Sequence, residues 1–174
     1  MTKRDKKLNV IAIGILCFIF PLLILTTWEI RPSISNYAYS DLNHFFVMFL
    51  TFAGAIFIFN GTKEDRTQIG KYKANSKWYN IITGLALIGV AITPHKDFPI
   101  LHFTCAGVFF LSGAVNMVLF SSNKQRWFKA LGASIIVISL LSSFVFKYSL
   151  ALAEQIALLP IALNLLGEVL EKTD

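Results

Sequence analysis

Long apolar blocks recur along the chain, and its polar residues gather in short stretches between them. A membrane-spanning α-helix needs about 20 mainly apolar residues to cross a hydrocarbon core about 30 Å thick. Most of the blocks have about this length. They predict six transmembrane helices, at about residues 8–28, 42–60, 78–93, 100–120, 130–146 and 149–166.

This pattern predicts an all-α fold, a polytopic transmembrane bundle in which residues 1–174 form a single integral membrane domain. The composition agrees, since 55% of residues are hydrophobic and 15% are charged, whereas a soluble domain has about 25% charged residues. The first block follows a basic stretch, as in a signal peptide. It is longer than a usual signal core and lacks a small-x-small cleavage site, so we interpret it as an uncleaved helix.

The basic residues predict the orientation of the bundle, because short cytoplasmic loops accumulate lysine and arginine. Thirteen of the 16 basic residues lie in 1–7, 61–77, 121–129 and the C-terminal tail, which six crossings would put on one side. Both termini are therefore predicted to be cytoplasmic, in the inner membrane of the cell. The charges are divided among loops without a recognisable binding motif, which favours anionic lipid headgroups over nucleic acid.

Candidate chemistry collects at the predicted outer side. The loop of residues 29–41 is rich in hydrogen-bonding groups and leads into the second helix. Ser40 or Asp41 is predicted to be the N-cap of that helix, with Asp41 and His44 on one helix face. The predicted ligand-binding residues are Ser35, Tyr37, Tyr39, Asp41, His44, His95, His102 and Glu154.

Glu154 is predicted to lie about one turn into the membrane, where a carboxylate should face protein or water. We expect it to have a partner, with His102, Lys147 and His44 as candidates, in an outward-facing polar pocket. Each residue also has a structural interpretation: Asp41 as a helix cap, and His44 and His95 as interfacial groups. No metal or other cofactor is predicted, since the spacing of His102 and Cys105 alone is weak support for zinc.

Three functional classes fit these residues. The first is a non-catalytic bundle that binds a lipid or a membrane-protein partner, including a second copy of itself. The second is a membrane-embedded lipid hydrolase or transferase, with His44 or His102 as base, Asp41 or Glu154 orienting it, and Ser35 or Ser40 as nucleophile. The third is a small immunity or accessory membrane protein. A channel or pump is disfavoured because no file of polar residues crosses the blocks.

A resemblance to a known family rests on short motifs. These are Pro32-x-Ile34-Ser35 before the second helix, and His102, Ala106-Gly107 and Phe109-Phe110 in the fourth. In these motifs the chain resembles the Frag1/DRAM/Sfk1-type membrane proteins and their bacterial relatives. The resemblance implies a six-helix bundle and an association with membrane lipids. Ser35 and His102 occupy the matching motifs, and the resemblance implies no catalytic residue.

Overall fold

The fold is described by a computed structural model, which covers residues 3–63, 76–119, 126–146 and 149–171. Within these residues the chain forms helices and no strand, so the all-α prediction is confirmed for them. The elements are α1 (Lys3–Thr27), the 3-10 helix η1 (Ile34–Tyr39), α2 (Asn43–Lys63), α3 (Ser76–Ile92), α4 (Pro99–Leu119), α5 (Arg126–Phe146) and α6 (Leu150–Glu171).

Five of these helices, α1, α2, α4, α5 and α6, are long and apolar enough to cross a membrane. The apolar part of α3, Trp78–Ile92, is shorter. The described chain is therefore compatible with a multi-pass membrane protein, while the sixth crossing and the side on which the termini lie stay predictions.

The helices form a ring in chain order. Each packs against its sequence neighbours, and α6 closes the ring against α1. Large side chains fill the interior, including the fully buried Phe46, Phe109 and Leu16. Other large apolar side chains cover the outside, such as Leu111 and Leu141, which are 64% and 60% exposed. A bundle surrounded by lipid is expected to be apolar on both its inner and outer surfaces.

Contacts between helix ends give the bundle two polar ends. At one end, here called the η1 end, Tyr39 of η1 contacts His95, which precedes α4, and the Ala151 amide of α6 donates to the Pro32 carbonyl. At the opposite end the side-chain amides of Asn9 and Asn60 form a reciprocal, buried pair with N···O distances of 2.6 and 3.3 Å. Because Asn9 lies early in α1 and Asn60 late in α2, these two helices are antiparallel.

Two glycines permit a close crossing of α2 and α3. A Cβ atom on Gly54 would lie 2.8 Å from the Gly84 carbonyl oxygen and 2.7 Å from the Ile88 side chain. Real Cβ atoms do not approach backbone this closely, so both positions require glycine at the present helix separation. Small residues have this role between helices in membranes, where close backbone approach increases van der Waals contact.

Helix α1 is interrupted near its middle, and a side chain from α6 forms hydrogen bonds with the backbone groups that the interruption leaves free. Phe18 has non-helical backbone angles (φ −128°, ψ 18°), and Pro21 has no N–H to donate to the Cys17 carbonyl. The Gln155 amide nitrogen donates to the carbonyls of Leu16 and Cys17 at 3.1 and 2.9 Å, and its oxygen accepts from the Phe20 amide at 2.9 Å. The free backbone groups are thus satisfied inside the bundle.

One predicted helix boundary is wrong in a way that affects the site. Helix α2 begins at Asn43, so Ser40 and Asp41 precede it and neither is its N-cap. The Ser40 hydroxyl instead donates to the Tyr37 carbonyl at 2.9 Å at the end of η1. Five of the thirteen basic residues behind the predicted orientation, those in 64–75, 120–125 and 172–174, lie outside the described residues, as does Lys147.

Candidate functional site

The 3-10 helix η1 covers the bundle at one end. The Ser33 hydroxyl accepts from the Asn36 amide at 3.2 Å and so caps the start of η1, while Ser40 ends it. Two of its side chains, Ile34 and Tyr37, point into the bundle and are buried. The chain between α1 and α2 is therefore part of the packed structure, and its residues are held for interaction with the helices below.

Glu154 of α6 joins η1 to the bundle. Its Oε2 atom accepts a hydrogen bond of 2.6 Å from the backbone amide of Ile34, the first residue of η1. The expectation that Glu154 has a polar partner is correct, but the expected cations, His102 and His44, form no ion pair with it within the described residues. A backbone amide at a helix start favours a carboxylate because the amide is otherwise unsatisfied and carries partial positive charge.

Beneath η1 lies a small cavity between α2, α3, α4 and α6. It provides about 40 Å³ for the centres of water-sized molecules, more than the roughly 10–15 Å³ that one water requires. Three polar residues, Ser35, His102 and Glu154, belong to its lining, although almost all of the surface that faces the cavity is apolar. The other lining residues are apolar: Ile34, Phe46, Leu50, Leu87, Val90, Ala106, Phe109, Phe110 and Leu158. The structure thus brings together three of the predicted ligand-binding residues.

His102 is buried in this lining, with 3% of its surface exposed. Its Nδ1 atom lies 2.6 Å from the carbonyl oxygen of Thr93, at the end of α3. A carbonyl accepts only, so Nδ1 carries the proton in this contact. The contact links the imidazole on α4 to the end of α3 and so fixes the orientation of the ring.

His102 also belongs to an aromatic cluster at the η1 end. Its ring centroid lies 5.7 Å from that of His95, which lies 5.2 Å from the Tyr39 ring in an edge-to-face arrangement. The Tyr39 hydroxyl accepts from the Lys96 backbone amide at 2.5 Å, and the Lys96 ammonium lies 4.6 Å from the centre of the Tyr39 ring. These contacts hold the loop between α3 and α4 against η1. Two predicted ligand-binding residues, Tyr39 and His95, form part of this contact.

His95 lies outside the helices, and its surroundings favour the neutral imidazole. Burial lowers its pKa, and the nearby Lys96 lowers it further, while Asp97 opposes them. Its Nδ1 atom is buried and has no hydrogen-bond partner. Charging this ring therefore has a cost that the local structure does not offset.

Tyr37, another predicted ligand-binding residue, has a structural role instead. Its side chain is completely buried, and its hydroxyl donates to the Glu29 carbonyl at 2.8 Å. Burial raises its pKa, so it stays protonated at neutral pH. Arg31 pairs with the Glu29 carboxylate and donates to the Tyr39 carbonyl at 3.3 Å, which fixes the start of the same loop.

Asp41 and His44 are not part of this site. Both are exposed, and His44 borders a separate shallow groove along α2 with Asn43, Val47 and Met48. Asp41 lies in the turn before α2, so the predicted shared helix face of the two residues is absent. The pocket predicted from all the outer histidines is therefore wrong for His44, which does not line the cavity that contains His102.

Metal-ligating side chains do not cluster in the part of the chain that the structure describes: no three His, Cys, Asp or Glu residues gather there. Cys105 follows His102 by almost one turn but packs beside Gly89, and both Cys17 and Cys105 are free thiols.

The sequence did not reveal two functional groups of this end of the bundle. The Ile34 amide has no sequence signature because every residue except proline carries one. Gln155 had a signal: a proline inside one apolar block frees a backbone carbonyl, and a glutamine inside another block can satisfy it. Pairing them required the knowledge that α1 and α6 are neighbours.

One comparison with known proteins gives a match. Residues 15–168 match the model of a family of unknown function, DUF7103. The chain belongs to this family. The match extends from the middle of α1 to the last turn of α6, so η1, α2 to α5 and the cavity beneath η1 all lie within the DUF7103 region. No curated protein and no solved structure matches the chain.

Proposed function

We propose that this DUF7103 protein crosses the inner membrane six times with both termini in the cytoplasm, and binds a lipid at the η1 end without catalysis. In this arrangement η1 and the cavity face the outer side. The excess of lysine and arginine in 1–7, 61–77 and 121–129 supports the orientation, since these stretches connect or precede helix ends opposite η1.

The cavity beneath η1 is the observation that carries the proposal. Ligand sites are concave and mostly apolar, with a few polar groups that fix orientation. Here Ser35, His102 and Glu154 are the polar residues of a lining whose exposed surface is almost entirely apolar. Its half-buried lining residues, including Ala106 and Phe110, connect the cavity with the surface of the ring. Its free volume of about 40 Å³ would admit only a few atoms of a lipid, so the rest of the lipid would lie outside the ring.

The motif resemblance to Frag1/DRAM/Sfk1-type proteins also favours a lipid. Ser35 and His102, which occupy the matching motifs, both line the cavity. The same motifs supply Ala106, Phe109 and Phe110 to its wall.

The alternative of a lipid hydrolase has less support. A serine nucleophile needs a base within hydrogen-bond reach. The Ser35 hydroxyl pairs with that of Ser33 at 3.0 Å, and the Nδ1 atom of His102 is occupied by the Thr93 carbonyl. No hydrogen bond joins Ser35 to His102 or Glu154, all three of which are described. The polar groups of the cavity are thus held by structural contacts and form no nucleophile–base pair.

Lipid retention by variants of the cavity wall tests the proposal. Ala106→Leu fills the cavity, whereas Val108→Phe adds bulk to the exposed side of the same helix. Each protein is purified in mild detergent from the same membranes, and bound lipid is measured by native mass spectrometry. We expect a tightly held lipid on the parent chain and on Val108→Phe, and its loss from Ala106→Leu.

Equal lipid retention by both variants, with unchanged melting temperatures, would contradict the proposal. A co-purifying membrane protein that is lost only from Ala106→Leu would replace the lipid with a protein partner. Turnover of an added phospholipid that His102→Ala abolishes would favour the hydrolase.

A further inference from the structure

A second candidate site lies at the end of the bundle opposite η1. The last turns of α4 and the first half of α5 line a groove of about 550 Å³. Both small and larger side chains contribute to its lining. The residues that matter here are Ala114 and Val118 of α4, and Ala130, Ala133, Ser134 and Val137 of α5.

The groove has the length of one membrane leaflet. From Ala130 to Ile138, the ends of its α5 wall, the helix rises about 12 Å at ~1.5 Å per residue. Half of a hydrocarbon core is about 15 Å. An acyl chain lying in this groove would therefore reach from the headgroup region to near the middle of the membrane.

Two basic residues lie at the start of α5, immediately before its residues that line the groove. Arg126 precedes Ala130 by four residues and Ala133 by seven, so it shares their face of α5. Lys129 lies next to Ala130. Neither basic side chain forms an ion pair with a described acidic side chain. The sequence between Asp97 and Glu154, which contains all of α4 and α5, has no acidic residue.

We propose that this groove binds an anionic glycerophospholipid, with one acyl chain between α4 and α5 and its phosphate at Arg126 and Lys129. The charges favour this occupant over a second copy of the chain, because a symmetric pair would bring the same basic residues together. A neutral lipid would fill the groove but leave the two cations without a counter-charge. The site is separate from the cavity beneath η1 and does not depend on it.

Trp127 provides a local reporter, since it lies between the two basic residues and is 88% exposed. Trp28 and Trp78 are also exposed, so a protein with Trp28→Phe and Trp78→Phe retains one tryptophan. It is reconstituted in nanodiscs of phosphatidylcholine with a small fraction of brominated phosphatidylglycerol or brominated phosphatidylcholine. Bromine quenches the indole on contact, so quenching measures which lipid occupies the groove.

We expect brominated phosphatidylglycerol to quench Trp127 at lower fractions than brominated phosphatidylcholine, by about fivefold for each basic residue in low salt. Arg126→Gln with Lys129→Gln should abolish the preference, and salt should weaken it. The matched control is Lys6→Gln with Lys7→Gln, which removes two charges from α1 at the same end of the bundle. This helix does not pack against α4 or α5, so the control should keep the preference.

Filling the groove gives a second measurement. Ser134→Phe should reduce quenching by both lipids, while Val145→Phe at the far end of α5 should leave it unchanged. Equal quenching by the two lipids on the single-tryptophan protein would overturn the proposal. A decrease in quenching by both lipids as the protein-to-lipid ratio rises would also overturn the proposal. It would indicate that a second copy of the chain occupies the groove. Ala106→Leu, which tests the outer cavity, should not alter these results.

Discussion

The side-chain amide of Gln155 acts as part of the backbone of α1, accepting the hydrogen bond of the Phe20 amide across 135 residues of sequence. In an unbroken helix the Phe20 amide would donate to the Leu16 carbonyl, four residues earlier. Gln155 takes both roles, because its nitrogen donates to Leu16 while its oxygen receives from Phe20. In a membrane such groups have no water to replace a lost partner.

Replacing Gln155 should therefore destabilise the bundle. Gln155→Leu introduces an apolar side chain of similar size. It leaves the Phe20 amide and the Leu16 and Cys17 carbonyls without their hydrogen-bond partner. We expect a loss of about 1–3 kcal/mol, the cost of unsatisfied buried polar groups. Thermal unfolding in detergent, followed by circular dichroism, measures this loss.

A double-mutant cycle with Pro21 separates this effect from general repacking. Pro21→Ala restores an N–H that can donate to the Cys17 carbonyl, so Gln155→Leu should cost less in that background. Equal costs in both backgrounds would mean that Gln155 does not compensate for the proline.

The crossing of α2 and α3 should be sensitive to a single methyl group. Gly84→Ala places a Cβ 2.7 Å from the Ile58 side chain and against the Gly54 backbone. We expect it to lower stability by about 1–3 kcal/mol, as for other overpacked cores. Gly107→Ala in α4 is the matched control, because nothing lies within 4 Å of its added Cβ. Melting temperatures that fall equally for both variants would contradict a steric origin.

The contact between η1 and the loop before α4 should weaken in acid through His95. Its pKa is lowered in the folded state, mainly by burial and then by Lys96. The unfolded chain therefore binds a proton more readily, and stability is lost as pH falls below the ordinary histidine value of about 6.5. His95→Phe should lose less stability than the parent between pH 7.5 and 5.5, as measured by thermal unfolding. An identical acid dependence of both proteins would show that other groups cause it.

The helices could be predicted well because hydrophobic blocks are local features of the sequence. The predicted block 100–120 differs by one residue at each end from α4, Pro99–Leu119. The start of α2 was harder to predict, since a serine or aspartate before an apolar block has the appearance of an N-cap. Here η1 ends at Ser40 and uses its hydroxyl, so the helix begins three residues later, at Asn43.

The site was only partly predictable because it depends on which helix faces meet. Burial depth pointed to His102 and Glu154, and both line the cavity. His44, the second residue of α2, is exposed on the outside of the bundle. No local pattern shows which side faces outward when the helix is apolar all round. Tyr37 looked like an exposed loop residue, yet it is completely buried.

Cysteine labelling tests the proposed orientation. Tyr37 is completely buried, so the labels are placed at exposed positions instead. Lys96 and Asp41 are exposed at the η1 end, and Arg126 is exposed at the opposite end. In a background with Cys17 and Cys105 replaced by alanine, a membrane-impermeant maleimide added to intact cells should modify cysteine at 96 or 41. It should reach position 126 only after the cells are opened. The reverse pattern would overturn the orientation.

The hydrogen bond from the Ile34 amide to Glu154 distinguishes a structural from a ligand-binding carboxylate. Glu154→Gln keeps an oxygen that can accept from Ile34, so η1 should stay attached and the melting temperature should change little. Glu154→Leu removes the acceptor and leaves the amide unsatisfied, which should cost about 1–3 kcal/mol. Melting temperatures of the two variants measure this difference.

Lipid retention by the same pair then assigns the role of the charge. If Glu154 only tethers η1, the Gln variant should retain as much lipid as the parent, and the Leu variant should lose it together with stability. If the carboxylate also contacts the lipid, the Gln variant should keep its melting temperature but lose the lipid seen by native mass spectrometry. Within the described residues a single backbone donor, the Ile34 amide, binds the carboxylate, and the other oxygen has no described hydrogen bond. We therefore expect the second result, and a Leu variant with unchanged stability would refute the tether itself.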